Sequence, residues 1–381
     1  MNAIIRQCVG IDIAKLSFTA CLCRVQTDGR FELSEVVKFD NSKQGFNQLI
    51  KWVRKQVDKL PQICFVMEAT GIYYEPLAYH LTKLNQPVSV VLPNKVKHYA
   101  KSLNIKSKTD TLDARTIARM GAERPLELWQ PPAPIFKELR DLCRLYTDLK
   151  IQRTAFINRL KSTQSGNEPL AFILDSTRSI IRKLDNEIVK CAAQIQQLLI
   201  KEEWLEEKVN KIQTIKGVGF ITIAIILAET QGFRLIKNGK QLTSYAGYDI
   251  VEKQSGSSIK GKTRISKKGN GRIRAALHFP ALVASRYNQQ LKAVYTRINE
   301  KKECKMVGAT ALQRKILLLI YTLWKNDSTY QENYSSGNQE TKPLLRHKDE
   351  VLDSNTGRPI SLPAQDELPS NLSTEALLRQ I

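Results

Sequence analysis

The amino-acid sequence predicts an α/β domain, then a long helical coiled-coil hairpin, and then a mostly α-helical domain with a basic loop. Short apolar runs of strand-like composition alternate with helical patterns in the first 130 residues. Apolar residues then recur at spacings of three and four as far as residue 212. A glycine-rich basic segment interrupts the helical patterns that follow. We therefore divide the chain into residues 1–130, 131–212, 213–326 and 327–381.

Three strands open the first domain. Gln7–Ile13 is an apolar run that contains one acid, Asp12. Ser17–Val25 and Phe31–Phe39 follow it, and the turn residues between them predict a hairpin within a meander. The next elements alternate, which predicts a mixed sheet. They are a helix over Gly45–Lys59, a strand over Ile63–Glu68, a helix over Tyr74–Asn85, a strand over Val88–Leu92 and a helix over Asn94–Ser102.

A further helix is predicted to start after Thr109, which is a good N-cap residue. Asp110 and Asp113 are three residues apart, so they share one face of its first turn. The helix dipole favours acids there, and an ordinary capped helix is one interpretation. The other is a metal site that meets a polyanion, because residues 76–109 contain no acid and six lysines. Those lysines are Lys83, Lys95, Lys97, Lys101, Lys106 and Lys108.

Two predicted strands carry one acid each near their ends, Asp12 and Glu68. A buried charge is expensive unless it is paired or bound to a metal. With Asp110 and Asp113 these residues form a set of four carboxylates, which can hold two Mg²⁺ ions, or Mn²⁺ in their place, for in-line attack at phosphorus. A rival interpretation makes Gly10-Ile11-Asp12 the first phosphate loop of a sugar-kinase or actin-like ATPase, but no later glycine-rich loop completes that pattern.

The composition points to an anionic partner. The formal net charge is +22 and the pI is about 9.7, which favours nucleic acid. The tail after Asn326 is rich in polar residues and is expected to be disordered, and from Gln331 onward it holds eight acids and five bases. No run of eighteen apolar residues and no signal peptide is found, so we expect a soluble cytoplasmic protein without a membrane partner. The seven cysteines contain no Cys-x-x-Cys and are expected to be reduced.

The region 131–212 opens with the linker Pro131–Pro134 and predicts a coiled-coil seam. Its apolar residues keep a spacing of three and four from Leu139 to Leu160, with Arg153 as the single polar member. Ser165–Pro169 interrupts the pattern, which resumes from Ile181 to Ile212. Two helices could pair antiparallel with each other or with another subunit, and packing within one bundle is the alternative.

The third region begins with Ile215–Gly219 and an apolar run, which looks like a helix-hairpin-helix element. Such an element would let backbone N–H groups approach a phosphate, although a plain turn before a core helix explains it equally well. The last helices are predicted over Ala275–Tyr287, Lys292–Lys301 and Gly308–Lys325.

Between these helices, Lys253–Arg274 contains eight basic residues and no acid. Its glycines predict that part of it is a loop, and its charge predicts contact with a phosphate backbone. Ser255, Ser257 and Ser258 lie in this cationic setting, which would stabilise a transferring phosphoryl group and an alkoxide. A solvated loop is the alternative. The candidate nucleic-acid ligands are Lys260, Lys262, Arg264, Lys267, Lys268, Arg272 and Arg274.

These motifs together resemble those of the DEDD transposases of bacterial insertion sequences. Gly10–Lys15, Glu68–Gly71 and Lys108–Ala114 resemble the acidic tetrad of that family. Five further motifs resemble the second domain of that family. They are Gly217–Gly219, Tyr245–Gly247, Gln254–Gly256, Arg264–Gly269 and Arg272–Arg274. The resemblance extends over about residues 5–325 and leaves out the tail.

The resemblance implies an RNase H fold like that of the RuvC resolvase in residues 1–130. It also implies a transposase or recombinase that a structured non-coding bridge RNA guides to donor and target DNA. In that family Asp12, Glu68, Asp110 and Asp113 would bind Mg²⁺, and Ser255 would form a covalent phosphoserine link to DNA. Two subunits would build each composite site in a dimer of dimers, acting in the bacterial cytoplasm at the nucleoid.

Three points stay open at this stage. Ser257 and Ser258 lie close enough to Ser255 to compete for the role of nucleophile. A RuvC-type metal-dependent nuclease or junction resolvase would need the four acids but no serine. A protein that only binds RNA or DNA would keep the fold without cleaving anything.

Overall fold

The computed structural model describes residues 3–57, 63–234, 236–252, 254–255, 259–261, 263–300 and 302–332. Its first part is built on a six-stranded mixed sheet. The strands are β1 (Ile4–Ile13), β2 (Ser17–Gln26), β3 (Phe31–Leu33), β4 (Val37–Asp40), β5 (Ile63–Glu68) and β6 (Val88–Val91). Their order is β3-β2-β1-β5-β6, and β4 also pairs with β2. β5 and β6 run parallel to β1, whereas β2 is antiparallel to its partners, which confirms the predicted mixed sheet.

The predicted third strand, Phe31–Phe39, is wrong in one respect, because it forms two short strands instead of one. Ser34 explains the interruption. Its backbone N–H still donates to the carbonyl of Leu22, at 2.9 Å. Its hydroxyl, however, accepts from the N–H of Leu22, at 3.0 Å, where a regular ladder would offer a carbonyl. The ladder therefore breaks after Leu33 and resumes at Val37.

Four helices cover the sheet, and the structure confirms that all four exist. They are α1 (Lys43–Gln56), α2 (Glu75–Lys83), α3 (Pro93–Ser102) and α4 (Asp110–Glu123). Ser42 caps α1 by accepting from the N–H of Gly45, so the helix begins earlier than predicted. Its predicted apolar face is buried. That face consists of Phe46, Leu49, Ile50 and Val53.

α4 lies directly on β1, and two glycines make this close approach possible. A Cβ atom on Gly10 would overlap the backbone of Ala118 and lie 2.6 Å from the carbonyl oxygen of Ala114. On the helix side, a Cβ atom on Gly121 would overlap the sulfur of Cys8 and lie 2.7 Å from Val66 Cγ2. Larger residues at these positions would push the helix off the strand.

The middle region forms an antiparallel pair of long helices, α5 (Pro134–Gln164) and α6 (Ala171–Ile200). Cys191 Sγ contacts the carbonyl of Leu142 at 3.4 Å near the base, and Arg153 pairs with Asp185 farther out. The base is buried, but the outer part leaves Ile151 63% and Phe172 75% exposed. The two helices thus pair within one chain, and a coiled-coil seam stays a prediction.

The second helix of this region was predicted to continue to Ile212, which is wrong. α6 ends at Ile200, and a separate helix, α7 (Glu203–Gln213), follows it. The division lets α7 leave the hairpin and bury Leu205, Val209 and Ile212 in the core of the C-terminal half.

The C-terminal half is mostly α-helical, as predicted, with four two-residue strands. Its elements are α8 (Phe220–Thr230), α9 (Gly239–Ala246), β7 (Ile250–Val251), β8 (Gln254–Ser255), β9 (Ile259–Lys260), β10 (Arg264–Ile265), α10 (Gly271–Ala276), α11 (His278–Tyr287), α12 (Gln289–Asn299) and α13 (Met306–Asn326). The predicted helix Ala275–Tyr287 is divided between α10 and α11. Pro280 has no N–H to donate to Ala276, whose carbonyl instead accepts from the Thr222 hydroxyl, at 3.5 Å.

α13 has the length and mean hydropathy of a membrane span, and it is the one such helix in the described residues. Its apolar side is nevertheless packed inside the C-terminal core, which makes it the central helix of that half. The residues of α13 in this core include Leu312, Ile316, Leu317 and Ile320.

The first residues after α13, which were predicted to be disordered, contact the rest of the protein. Residues 327–332 pack against the preceding domain, where Tyr330 N–H donates to Thr214 Oγ1 at 2.8 Å. The remainder of the predicted disordered tail, residues 333–381, lies outside the described residues.

Candidate active site

Asp12 and Glu68 lie side by side at the ends of two neighbouring parallel strands. The β1–β5 register pairs Ile11 with Met67, so the residue that follows each of them comes next to the other. Both acids are only partly buried. Because the carboxyl ends of parallel strands meet at the same edge of a sheet, two acids far apart in the sequence come together here.

The first turn of α4 is fixed beside this pair. The Thr109 hydroxyl accepts from the N–H of Leu112, at 3.2 Å, which confirms the predicted N-cap. The Thr19 hydroxyl donates to the carbonyl of Asp110, also at 3.2 Å, and Thr19 is the β2 partner of Asp12. The structure thus brings the first turn of α4, with Asp110 and Asp113, to the edge where Asp12 lies, and a common acidic site stays a prediction.

The carboxyl groups influence one another electrostatically. Burial, together with the charges of Asp113, Asp110 and Glu68, raises the pKa of Asp12 to about 6, while Lys108 opposes this shift. Burial likewise raises the pKa of Glu68 and that of Asp113. A cation placed among these groups would relieve both burial and repulsion.

The donor chemistry suits a hard divalent cation, since Mg²⁺ and Mn²⁺ prefer carboxylate oxygens. The side chains are not gathered around one point, however. In the described parts of the chain no group of three or more His, Cys, Asp or Glu side chains is close enough together to hold a metal ion. Asp110 is exposed, whereas Asp113 is partly buried. Binding an ion would therefore require these carboxylates to turn toward each other.

A cleft of about 380 Å³ opens beside the acids, between α3 and the start of α4. Glu68 and Asp113 form its acidic side. Its remaining charged lining is basic and comes from lysines that the sequence analysis singled out. They are Lys97, Lys101, Lys106 and Lys108. An acidic edge facing a lysine wall can accommodate a phosphate backbone together with cations.

The basic segment that holds the serines is not simply a loop. β7 pairs with β10, matching Ile250 with Ile265, and β8 pairs with β9, matching Ser255 with Ile259. Both pairs are antiparallel and the second lies inside the first, so β7 to β10 form a basic β-hairpin. Ser255 is the last residue of β8. Ser257, Ser258 and Lys262, together with the side chains of Ser255 and Lys260, lie outside the described residues.

The remaining predicted nucleic-acid ligands fall into two groups. Arg264, Lys267 and Lys268 are exposed and free to meet a polyanion. Arg272 is also exposed, but its Nε lies 3.6 Å from Glu229 Oε1. Arg274 donates through Nη1 to the carbonyl of Ala246, at 2.7 Å. These two arginines therefore also make contacts within the protein.

Sequence reasoning missed the carboxylate at the centre of this half, Glu229. Arg144 donates to it through Nε and Nη2, at 3.0 and 3.2 Å, and Asn270 donates at 2.7 Å. Its side chain is only 6% exposed. Burial raises its pKa, but the hydrogen bonds from Arg144 and Asn270 lower it more, so the group stays ionised. The available signal was an acid at the end of the otherwise apolar α8.

The helix-hairpin-helix-like turn makes one contact with the segment after α13. Gly217 has φ +92°, which favours glycine. Lys216 pairs with Glu332 at 2.9 Å, and Glu332 also accepts from the N–H of Gln289. The segment after α13 thus contacts Lys216 at this turn, while Gly217 and Gly219 stay exposed.

Comparisons with known proteins find a family for this chain. Residues 9–166 match a model of IS110-type DEDD transposases, described as "Transposase", and residues 209–296 match "Transposase IS116/IS110/IS902 family". The pilin gene-inverting protein of Moraxella bovis is 32% identical over 327 residues, covering 85% of this chain and 97% of that protein. The transposase for insertion sequence element IS1111A of Coxiella burnetii is 24% identical over 361 residues, covering 85% and 91%.

Among solved structures, Thermus thermophilus RuvC matches 32% of this chain and 99% of its own, at 14% identity. Its TM-score is 0.25, which is too low to establish a common fold.

Proposed function

This chain belongs to the IS116/IS110/IS902 family of transposases, enzymes that cut and rejoin DNA, and from that premise we propose a specific chemistry. The protein is a Mg²⁺-dependent recombinase that joins donor and target DNA through a covalent phosphoserine intermediate under the guidance of a structured non-coding RNA. The observation that carries the proposal is the meeting of Asp12, Glu68 and the first turn of α4 beside a lysine-lined cleft.

Asp12, Glu68, Asp110 and Asp113 would hold the divalent ions, Mg²⁺ or Mn²⁺. When bound, such ions neutralise phosphate oxygens and stabilise charge during attack at phosphorus. The chain's own residues bind and orient the DNA. The lysines of the cleft lie opposite Glu68 and Asp113, so they can hold the backbone against the acidic edge. The proposal also includes that residues 1–130 have an RNase H fold like that of RuvC.

Ser255 is the proposed nucleophile, with Ser257 and Ser258 as competitors for that role. Its oxygen forms a bond to phosphorus while one bond from phosphorus to a deoxyribose oxygen breaks. The serine hydroxyl loses its proton, and the departing deoxyribose oxygen gains one. The covalent link conserves the phosphodiester energy, so the reverse step can join a new strand without ATP.

The proposal includes a homo-oligomer, a dimer of dimers, in which the acidic site of one subunit meets the serine segment of another. The outer part of the α5–α6 hairpin supports it, because apolar side chains such as Ile151, Phe172 and Val189 stay exposed there. The net charge of +22 supports binding of RNA as well as DNA in the bacterial cytoplasm.

A RuvC-type nuclease or junction resolvase without serine chemistry is the second candidate. It is favoured by one observation, that the four acids all lie in the first 123 residues and need nothing from the basic hairpin. In that case the C-terminal half would only bind DNA.

A denaturing gel separates these candidates. Labelled element-junction DNA is incubated with the protein, its flanking RNA and Mg²⁺, beside the variants Ser255→Ala and Asp113→Ala. The proposal predicts a slow, protease-sensitive DNA–protein band that both variants lose. Free cut ends without such a band, retained by Ser255→Ala and lost with Asp113→Ala, would establish the nuclease instead.

A further inference from the structure

The acidic domain and the C-terminal half have separate apolar cores. In the described residues, the cores around the sheet draw on side chains no later than Trp129, and the C-terminal core begins at Ala133. The linker Pro131–Pro134 connects them. When two parts of a chain share no apolar core, their relative motion is the default, and polar contacts must fix any single orientation.

The base of α5 supplies such contacts to the acidic domain. Arg140 Nη2 lies 2.9 Å from Glu75 Oε1, and the two side chains are only 15% and 18% exposed. Glu75 is the first residue of α2 and follows Glu68 by seven positions. One turn earlier on α5, Lys137 Nζ lies 6.0 Å from the centre of the Tyr79 ring.

One turn farther along α5, Arg144 makes the matching contact with the C-terminal half. It binds both oxygens of the buried Glu229 through a two-pronged guanidinium contact. Glu229 in turn accepts from Asn270, which caps α10 and whose N–H donates to the carbonyl of Tyr245, at 2.7 Å. Asn270 lies where the chain returns from the hairpin that carries Ser255. Two arginines on one face of one helix thus reach both halves.

We propose that Arg140 and Arg144 are positioning residues, which hold the acidic domain and the serine-bearing segment at the one relative orientation that DNA cleavage requires. The inference rests on the proposed function, since it takes the acids and Ser255 as the reacting groups. A fixed orientation within each chain also lets two chains build two equivalent composite sites.

The rival role for these arginines is direct contact with DNA phosphates. Substituting their acidic partners separates the two roles, because every arginine is retained. The variant Glu75→Gln/Glu229→Gln weakens both contacts by removing the two carboxylate charges, which makes the net charge of the protein more positive. Asp185→Asn is the matched control, since it releases Arg153 farther out on the same helix.

The first measurement is the distance between spin labels on the exposed Cys304 and on a cysteine introduced at the exposed Lys55 of α1. We expect one narrow distribution for the otherwise unchanged protein and for Asp185→Asn, and a broad one for the double variant. The second measurement is cleavage at saturating DNA. It should fall about tenfold or more in the double variant without weaker DNA binding, because misplaced reacting groups slow the chemistry itself.

A narrow distribution in the double variant, an unchanged cleavage rate, or a loss explained by weaker DNA binding would each overturn the proposal. If thermal unfolding shows that the double variant does not fold, the single variant Glu75→Gln decides by the same criteria. A wild-type protein that never cleaves DNA would contradict the proposed function, whereas the distance distributions test the positioning contacts without any DNA.

Discussion

Asp12 shows how one side chain can be costly to the fold and useful to the site. It is a partly buried acid whose nearest charged neighbours are mostly other acids. Its pKa of about 6 lies above the ordinary value of 3.8, so the folded protein holds a proton there that the unfolded chain releases. Such a group favours folding in acid and opposes it once ionised.

This gives a prediction for pH. Without divalent ions, the free energy of unfolding should fall as the pH rises from about 4 to about 6, because the native state binds more protons in that window, and Asp12 should add no further change above it. Asp12→Asn should flatten that decline. Urea unfolding in a chelating buffer between pH 4.5 and 7.5 measures this decline in the wild type and in Asp12→Asn. The variant Asp141→Asn, at an exposed position, is the control. A decline of equal slope in Asp12→Asn would contradict the assignment.

Glu229 illustrates what sequence reasoning could not reach at the scale of single residues. An acid at a strand end has a local pattern, so Asp12 and Glu68 could be recognised directly. The structural role of Glu229 comes from its hydrogen bonds with Arg144, 85 positions away, and with Asn270, 41 positions away. Pairings over such distances leave no periodic signal. For the same reason Arg272 was assigned to DNA when part of its charge is used internally.

At the scale of elements, the acidic site depends on how α4 rests on β1. The helix touches the strand along its length through Gly10 and Gly121, and its first turn is then held by Thr19. Apolar periodicity predicted both elements, but the closeness of their contact depends on two residues that lack a side chain. The packing of α4 against β1 therefore sets the position of Asp113 in the first turn of the helix.

Gly10→Ala tests this dependence. The new methyl group would overlap the backbone of Ala118, which is part of a helix and cannot swing aside. We expect a loss of about 1–3 kcal/mol in the free energy of unfolding, with weaker Mn²⁺ binding in the fraction that stays folded. Gly219→Ala is the control, because a Cβ atom there would meet nothing within 4 Å. Chemical unfolding monitored by circular dichroism measures the difference, and equal stability of both variants would contradict the close approach.

The divisions of predicted helices also belong to this scale. The spacing of three and four continued from Leu198 through the charged Glu202 to Ile212, yet α7 turns away from α6 after Glu202 to fill the C-terminal core. Spacing alone reports which face is apolar, not which neighbour covers it. The interruption at Pro280 was readable in principle, since proline cannot donate a backbone hydrogen bond.

At the scale of the whole molecule, most of the architecture was predictable. The mixed sheet, the helical hairpin and the helical C-terminal half each follow from a local pattern sustained over many residues. What could not be predicted is how the parts are oriented, because the linker after Trp129 carries no such pattern. In the structure, ion pairs at the base of α5 link the parts. They join Arg140 to Glu75 and Arg144 to Glu229.

The whole-molecule account depends on the acids acting together on a divalent ion, and Mn²⁺ binding to the RNA-free and DNA-free protein tests this most directly. Titration calorimetry on the wild type, Asp12→Asn, Asp113→Asn and the exposed control Asp141→Asn is the measurement. We expect saturable binding in the wild type and control, and a loss of at least about tenfold in affinity for each site variant. Equal Mn²⁺ affinity in all four proteins would contradict a common metal site at the ends of β1, β5 and α4.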